Sequence, residues 1–287
     1  MDKTILQTHP FCLSLLSAEQ FYAMKAYAKE SQAFPLLRIY VAADLLMDHS
    51  EIVASCEELA EKYPETKWVI SLPEILRAKD HEYLGEVLAL IQAHPVFCGI
   101  LSGTLEGIGY FLKYHEKVML YGDHNLYLWN SSAVRAMSET LDGGCLPLEL
   151  HGAEQKELLE LPFDFDKVIY GRIPMMLTAN CIAKTNGACR KYGDQEKPLA
   201  IEDRMEISFP VRTNCDHCYN VIYNSLPLSL HGFLDRYQGK AGLRISLSLE
   251  DYAETLAILR FFLNGRAGEQ KPPVKDYTTG HEKRFVE

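Results

Sequence analysis

Short apolar runs alternate along this chain with amphipathic segments at a near-regular beat. Eight runs read as strands: residues 11–16, 37–41, 67–72, 96–101, 117–121, 145–150, 167–170 and 242–247. Helical patterns lie between most of them, at 18–29, 51–62, 81–93 and 131–141, and another follows the last at 251–263. Strands alternating with helices of this length predict a parallel sheet with βαβ crossovers. Eight strands fit an α/β fold of the TIM-like (β/α)-barrel type, with an open doubly wound sheet as the runner-up.

The beat breaks after Met176 and resumes near Leu243. The stretch 177–230 is irregular, cysteine-bearing and strand-like, and it reads as an insertion before the last strand that covers one mouth of the barrel. The predicted organisation is one barrel domain over 1–264 that includes this insertion. Residues 265–287 form a Gly/Pro-containing linker and a tail that docks or frays.

Composition narrows the class. With 287 residues, 47% apolar and 24% charged, the chain is ordinary for a soluble globular protein of one large domain or two modest ones. Its net charge of −10 gives no support to a broad phosphate-binding surface. A local basic groove, or RNA held mainly by another domain, stays open. The apolar runs fall far short of the roughly 20 residues that span a bilayer. The first residues lack a signal-peptide layout. The expectation is a cytoplasmic, reducing setting without a membrane partner, in which cysteines are thiols or ligands rather than disulfides.

Four of the eight cysteines fall between positions 181 and 218: Cys181, Cys189, Cys215 and Cys218. Thiolates gathered at such spacings suit soft metals or iron–sulfur clusters, because several must converge on one centre. Cys215-x2-Cys218 can form a knuckle shared by zinc and iron–sulfur sites. Gly187 beside Cys189 permits a tight turn at positive φ. The plainer alternatives are free thiols or a structural zinc. Cys12, Cys56, Cys98 and Cys145 lie in apolar runs or on helical faces and read as core.

In a barrel, reactive groups gather on the loops after the strands. That rule picks out Asp44, Glu74, Asp123, Asn125, Asn130, Glu149 and Arg172. Asp123, Asn125, Glu149 and Arg172 are the candidates for a substrate pocket. Strand alternation would send Asp123 and Asn125 to one side and His124 to the other. Arg172 suits a bidentate clamp on a carboxylate or phosphate, and an ion pair with Glu149 explains it equally well. No His-Glu-x-x-His run, Gly-x-Ser-x-Gly elbow, P-loop or dinucleotide fingerprint is present. Ser225, His231 and His281, or Cys181 with His217, are the groups that a spatially assembled peptidase site would have to recruit.

From Lys167 to Met176, then through Asn180-Cys181, Gly187-Ala-Cys189, Glu202-Asp-Arg204, Phe209-Pro-Val-Arg212, Cys218, Asn224-Ser-Leu-Pro-Leu228 and Thr279-Gly-His281, the chain resembles the U32 peptidase (collagenase-like) family. Upstream, Gly122-Asp-His-Asn-Leu126, Asn130-Ser131 and Leu148-Glu-Leu150 resemble that family's barrel strands. The resemblance implies a barrel. In several relatives it also implies a hydroxylase acting on RNA or on a small aromatic molecule, with four cysteines holding a [4Fe–4S] cluster. It would carry the ligand role onto Cys181, Cys189, Cys215 and Cys218. Where the family's best-known pattern has a further cysteine, this chain reads Ile173-Pro-Met-Met176. The family's older label implies a peptidase and a peptide substrate. A third expectation is a non-catalytic module with a structural metal, zinc among the choices, working beside another U32 module.

Overall fold

The computed structural model describes residues 10–31, 33–185, 187, 199–265 and 271–282. Eight parallel strands close into a ring. In ring order they are β1 (Phe11–Leu15), β2 (Leu36–Ala42), β3 (Lys67–Ser71), β4 (Phe97–Ser102), β5 (Met119–Gly122), β6 (Gly143–Cys145), β7 (Phe165–Gly171) and β13 (Gly242–Ser246). The pairings β6–β7 and β13–β1 complete the circle, so the open doubly wound alternative is set aside. The fold is a TIM-like (β/α)8 barrel. Outside it run α1 (Ala18–Glu30), α2 (Ala43–Asp48), α3 (Ser50–Lys62), α4 (His81–Ala93), α5 (Leu105–Leu112), α6 (Ser131–Met137) and α7 (Gly152–Leu158). Short α8 (Ile182–Thr185) belongs to the insertion, and α9 (Tyr252–Leu263) closes the series.

The helices form where apolar residues recur on one face and a cap stops the first turn from fraying. Ser17 accepts from Gln20 N ahead of α1, and Asp251 with Glu254 makes a capping box ahead of α9. Their buried faces meet the outer side of the strands, as Phe21, Met24, Ile52, Val87 and Phe262 do in the main core. The sixth strand lies earlier than the predicted 145–150. Gly143 and Gly144 let the backbone approach β7, since a Cβ on Gly143 would fall 2.7 Å from the Asp164 carbonyl oxygen. Pro147 has no N–H with which to extend the ladder.

The lumen is not purely apolar. Cys12, Tyr40, Val69, Leu101 and Tyr121 pack together there. Beside them Arg38, 1% exposed, donates to Asp164 at 2.5 and 3.0 Å and to Asp166 at 2.5 Å. Tyr40 Oη and Cys12 Sγ donate to the same Asp166, at 2.5 and 3.3 Å. Burial and Asp166 push the Cys12 thiol up, so it is a core group and not a nucleophile. Cys56 and Cys145 are buried as expected, and Cys98 packs against the lumen cluster.

Between β7 and β13 the chain leaves the barrel. It builds an antiparallel sheet from β8 (Pro174–Thr178), β9 (Leu199–Glu202), β10 (Ser208–Asn214) and β11 (Tyr219–Tyr223), ordered β8-β11-β10-β9. The insertion therefore begins three residues before the predicted 177. Strand β12 (Leu228–Ser229) then returns to pair with β7. The tail docks: Leu228 bridges to Thr278, and Glu282, 3% exposed, accepts from Tyr237 at 2.7 Å and from Arg236 at 2.9 Å. Among the described residues no helix is long and apolar enough to cross a membrane.

Candidate functional site

The C-terminal ends of the barrel strands and the inner face of the small sheet enclose a cavity. The floor comes from the barrel: Ser14 on β1, Arg244 and Ser246 on β13, and Asp123 just after β5. The roof is Leu177 on β8, Arg212 and Asn214 on β10, and Tyr219 and Tyr223 on β11. The expectation that the insertion covers one mouth of the barrel is met in this way.

Asp123 is the hub of the floor. Arg244, 3% exposed, places Nη2 at 2.8 and 3.0 Å from the two carboxylate oxygens. His124 adds its backbone N–H at 2.7 Å and its ring Nδ1 at 3.0 Å. Burial alone would favour the neutral acid. Arg244 and His124 overcome it and hold Asp123 well below the usual carboxylate range. Burial likewise works against the Arg244 charge, and Asp123 more than restores it. Since Nδ1 is engaged with Asp123, Nε2 is the ring nitrogen that His124 can offer to another partner.

Roof and barrel are joined by charged and polar contacts. Arg212 forms an ion pair with Glu74, and Tyr219 donates its hydroxyl to the same carboxylate. Arg212 Nε donates to Tyr223 Oη at 3.1 Å. Asn214 Nδ2 reaches Asp44 at 3.0 Å, and Asp44 also accepts from Tyr83 at 2.6 Å. His217, 3% exposed, lies with Nε2 3.4 Å from Asp44 and Nδ1 3.3 Å from Asp80. Burial opposes the imidazolium, but these two carboxylates outweigh it and raise the His217 pKa. Burial and Glu74 push the Tyr219 hydroxyl up, so it stays a donor.

Of the predicted pocket residues, Asp123, Asn125 and Arg172 line the cavity, as do Asp44 and Glu74. Glu149 is not among the lining residues and forms no ion pair with Arg172. Arg172 instead donates Nη1 to the carbonyls of Ser225 at 2.7 Å and Asn224 at 3.3 Å. His124 joins Asp123 rather than turning away, because 124–126 is a 3-10 turn and strand alternation has ended. Asn130 caps α6 through Ala133 N, which is a structural duty. Sequence reasoning missed Arg244 and Arg212. The signal for Arg244 was present: Arg244, Ser246 and Ser248 alternate with Leu243, Ile245 and Leu247, giving a polar stripe on a strand buried on both faces.

Three of the four proposed ligand cysteines are described, and Cys189 lies outside the described residues. Cys215 and Cys218 flank the β10–β11 turn, with Cys218 exposed at φ +51. Arg77 pins that turn through the carbonyls of His217 and Cys218. The register Thr178↔Asn220, with Asn220 Nδ2 on the Asn180 carbonyl at 3.1 Å, brings the Cys181 segment to the same end of the sheet. Gly187 has the expected positive φ of 80. Among the described residues no three His, Cys, Asp or Glu side chains converge closely enough to hold a metal. Three thiols at one sheet end match a soft-metal donor set in kind, and the described part does not close around an ion. The fit is one of donor chemistry only.

No protein-family model matches this chain, and no curated protein matches it. Among solved structures it is similar to the U32 peptidase Mk0906, with 9% identity and a TM-score of 0.46, over 85% of this chain and 94% of that one. It is also similar to the YdjI aldolase from Escherichia coli, with 10% identity and a TM-score of 0.39, over 58% and 68% of the two chains. A GH18 chitinase from Cycas revoluta gives 9% identity and 0.41, over 86% and 97%.

Proposed function

We propose that this chain is a U32-like barrel enzyme of the modifying kind. It takes a small aromatic molecule, or a base presented by RNA, into the roofed cavity and alters it there. The observation that carries this reading is the cavity itself. Charged and phenolic groups from two separate layers face one space, and each is fixed by partners before any ligand arrives, as in Asp123–Arg244 below and Glu74–Arg212 above. Such preorganisation is what transition-state stabilisation requires. The residues between Lys167 and His281 that resemble the U32 family support the family part of this reading.

Within that site Asp123 orients His124, whose Nε2 is the group suited to move a proton. Tyr219 and Tyr223 supply hydroxyls at the roof, the first held by Glu74 and the second by Arg212. An iron–sulfur centre, the finer part of the proposal, would be held by Cys181, Cys215 and Cys218 with Cys189, and would supply redox chemistry. The peptidase alternative has a Ser–His contact in its favour, Ser229 Oγ to His231 Nδ1 at 3.0 Å, but Ser229 is 1% exposed and closed to a peptide carbonyl.

The test is elemental analysis with a visible spectrum on protein purified without oxygen. Iron and sulfide at about four per chain, lost in Cys181→Ser and Cys218→Ser and kept in Cys98→Ser, are expected. Zinc, or a colourless metal-free protein, would remove the iron–sulfur part and favour a structural module.

A further inference from the structure

Polar groups on two residues that line the cavity's floor are left without partners. Several buried side-chain polar atoms lack a hydrogen-bond partner among the described residues. Those on residues lining the cavity are Ser14 Oγ, Arg244 Nε and Arg244 Nη1. The others, such as Trp68 Nε1 and Thr255 Oγ1, belong to residues that do not line it. The two lining residues are close in the sheet. Strands β1 and β13 pair in parallel with Cys12 opposite Arg244 and Ser14 opposite Ser246, so Ser14 stands one step nearer the mouth. Both are nine-tenths buried or more, at 6% and 3% exposure.

Asp123 balances the charge of Arg244 but not its donors. A guanidinium carries five N–H groups, and Nη2 alone serves both Asp123 oxygens. Nearer the mouth, Arg172 lines the same cavity and rests on two backbone carbonyls, with no carboxylate in ion-pair range among the described residues. The other charged lining residues have opposite partners: Arg212 with Glu74, and Asp44 with His217, which it shares with Asp80. Arg172 is therefore the lining arginine without a carboxylate in ion-pair range, and below it lies a set of unsatisfied donors. A neutral acceptor would satisfy the donors and leave Arg172 unmatched, whereas an oxyanion answers both.

We propose that the floor is an oxyanion subsite, in which Arg244 and Ser14 receive the carboxylate or phosphate group of a small anionic molecule and Arg172 matches its charge. The inference deepens the functional reading above and rests on its cavity. It names the ligand as an acid rather than a neutral ring.

The experiment titrates the full chain with inorganic phosphate and, separately, with malonate, at ionic strength balanced by sodium chloride, read by calorimetry and thermal shift. Arg244→Lys keeps a cation for Asp123 and removes the spare N–H groups. Ser14→Ala removes the hydroxyl, and Arg260→Gln is a surface control. Saturable binding of at least one probe is expected, weakened about ten-fold in Arg244→Lys and about three-fold in Ser14→Ala, and unchanged in Arg260→Gln. Preference between the probes identifies the head group. Absence of saturable binding to both probes overturns the proposal, as does equal affinity in wild type, Arg244→Lys and Ser14→Ala. If Arg244→Lys does not fold, the Ser14→Ala titration decides alone. The readout needs neither turnover nor metal, so failure of the metal assay and failure of this titration are separate results.

Discussion

Arg244 on β13 binds both carboxylate oxygens of Asp123 after β5, at 2.8 and 3.0 Å, tying two strands that lie three steps apart around the ring. Arg244 is buried and Asp123 is 19% exposed, so the arginine is costly without its partner. Asp123→Ala should cost about 3–5 kcal/mol, because it leaves the Arg244 guanidinium uncompensated. The double variant Asp123→Ala/Arg244→Met should lose less than the sum of the two single changes. Urea unfolding of the four proteins measures this, and strictly additive losses would show that the pair is not a unit.

Gly242 makes room for the lower lumen network. A Cβ there would lie 2.6 Å from Asp166 Oδ1 and 2.7 Å from Cys12 Sγ. Gly242→Ala should therefore destabilise by about 1–3 kcal/mol or more. Gly109 on α5 is exposed, and its Cβ would meet nothing within 4 Å. Gly109→Ala should stabilise by about 0.5–1 kcal/mol through helix propensity alone. Unfolding free energies of the same sign for both would count against this steric reading.

The barrel was legible because strands buried on both faces must be apolar runs, and seven of the eight fall where such runs lie. The exception, β6, is Gly-Gly-Cys, whose reason for being a strand is backbone approach rather than hydrophobicity. Asp123, Asn125 and Arg172 were legible as polar groups just past strand ends. Glu149 has the same local signature, yet whether such a residue faces the cavity depends on the turn that follows its strand. Arg212 sits inside a strand, where a charge reads as a surface residue until the opposite layer is known, whereas Arg244 was marked by its alternation with Ser246 and Ser248. The roof read as irregular and strand-like without its separate strands, since these depend on pairing with one another and on contacts with Glu74 and Asp44 from the barrel.

Lys167 gives a pH prediction with a definite sign. Its ammonium is buried, donates to Gln155 at 2.8 Å and lies 3.6 Å from Glu282. Burial lowers its pKa from 10.5 to about 8, although Glu282 and Cys145 push it back up. Between about 8 and 10.5 the unfolded chain then holds more protons than the folded one, so this residue's contribution rises with pH and its penalty is complete below that window. Relative to Lys167→Met, wild type should gain about 2 kcal/mol from pH 7 to pH 9.5. A pH-independent difference between the two proteins would show that the lysine titrates normally.

The roof should loosen without the barrel. Glu74 is the barrel's anchor for both Arg212 and Tyr219, and all three face the cavity. The amide of Glu74→Gln keeps one acceptor but removes the charge that holds Arg212, and hydrogen bonds to a charged group contribute about 1.5–3 kcal/mol. Arg212 and Glu74 remain 21% and 26% exposed, so water screens part of that and the loss should sit at the low end. Hydrogen exchange locates it. Amides of β10 and β11 should lose protection in Glu74→Gln while those of β1 to β4 keep theirs, because the two sheets share no strand pairing. Equal loss in both sheets would mean that roof and barrel open as one unit, and the small sheet could then not admit a ligand independently of unfolding.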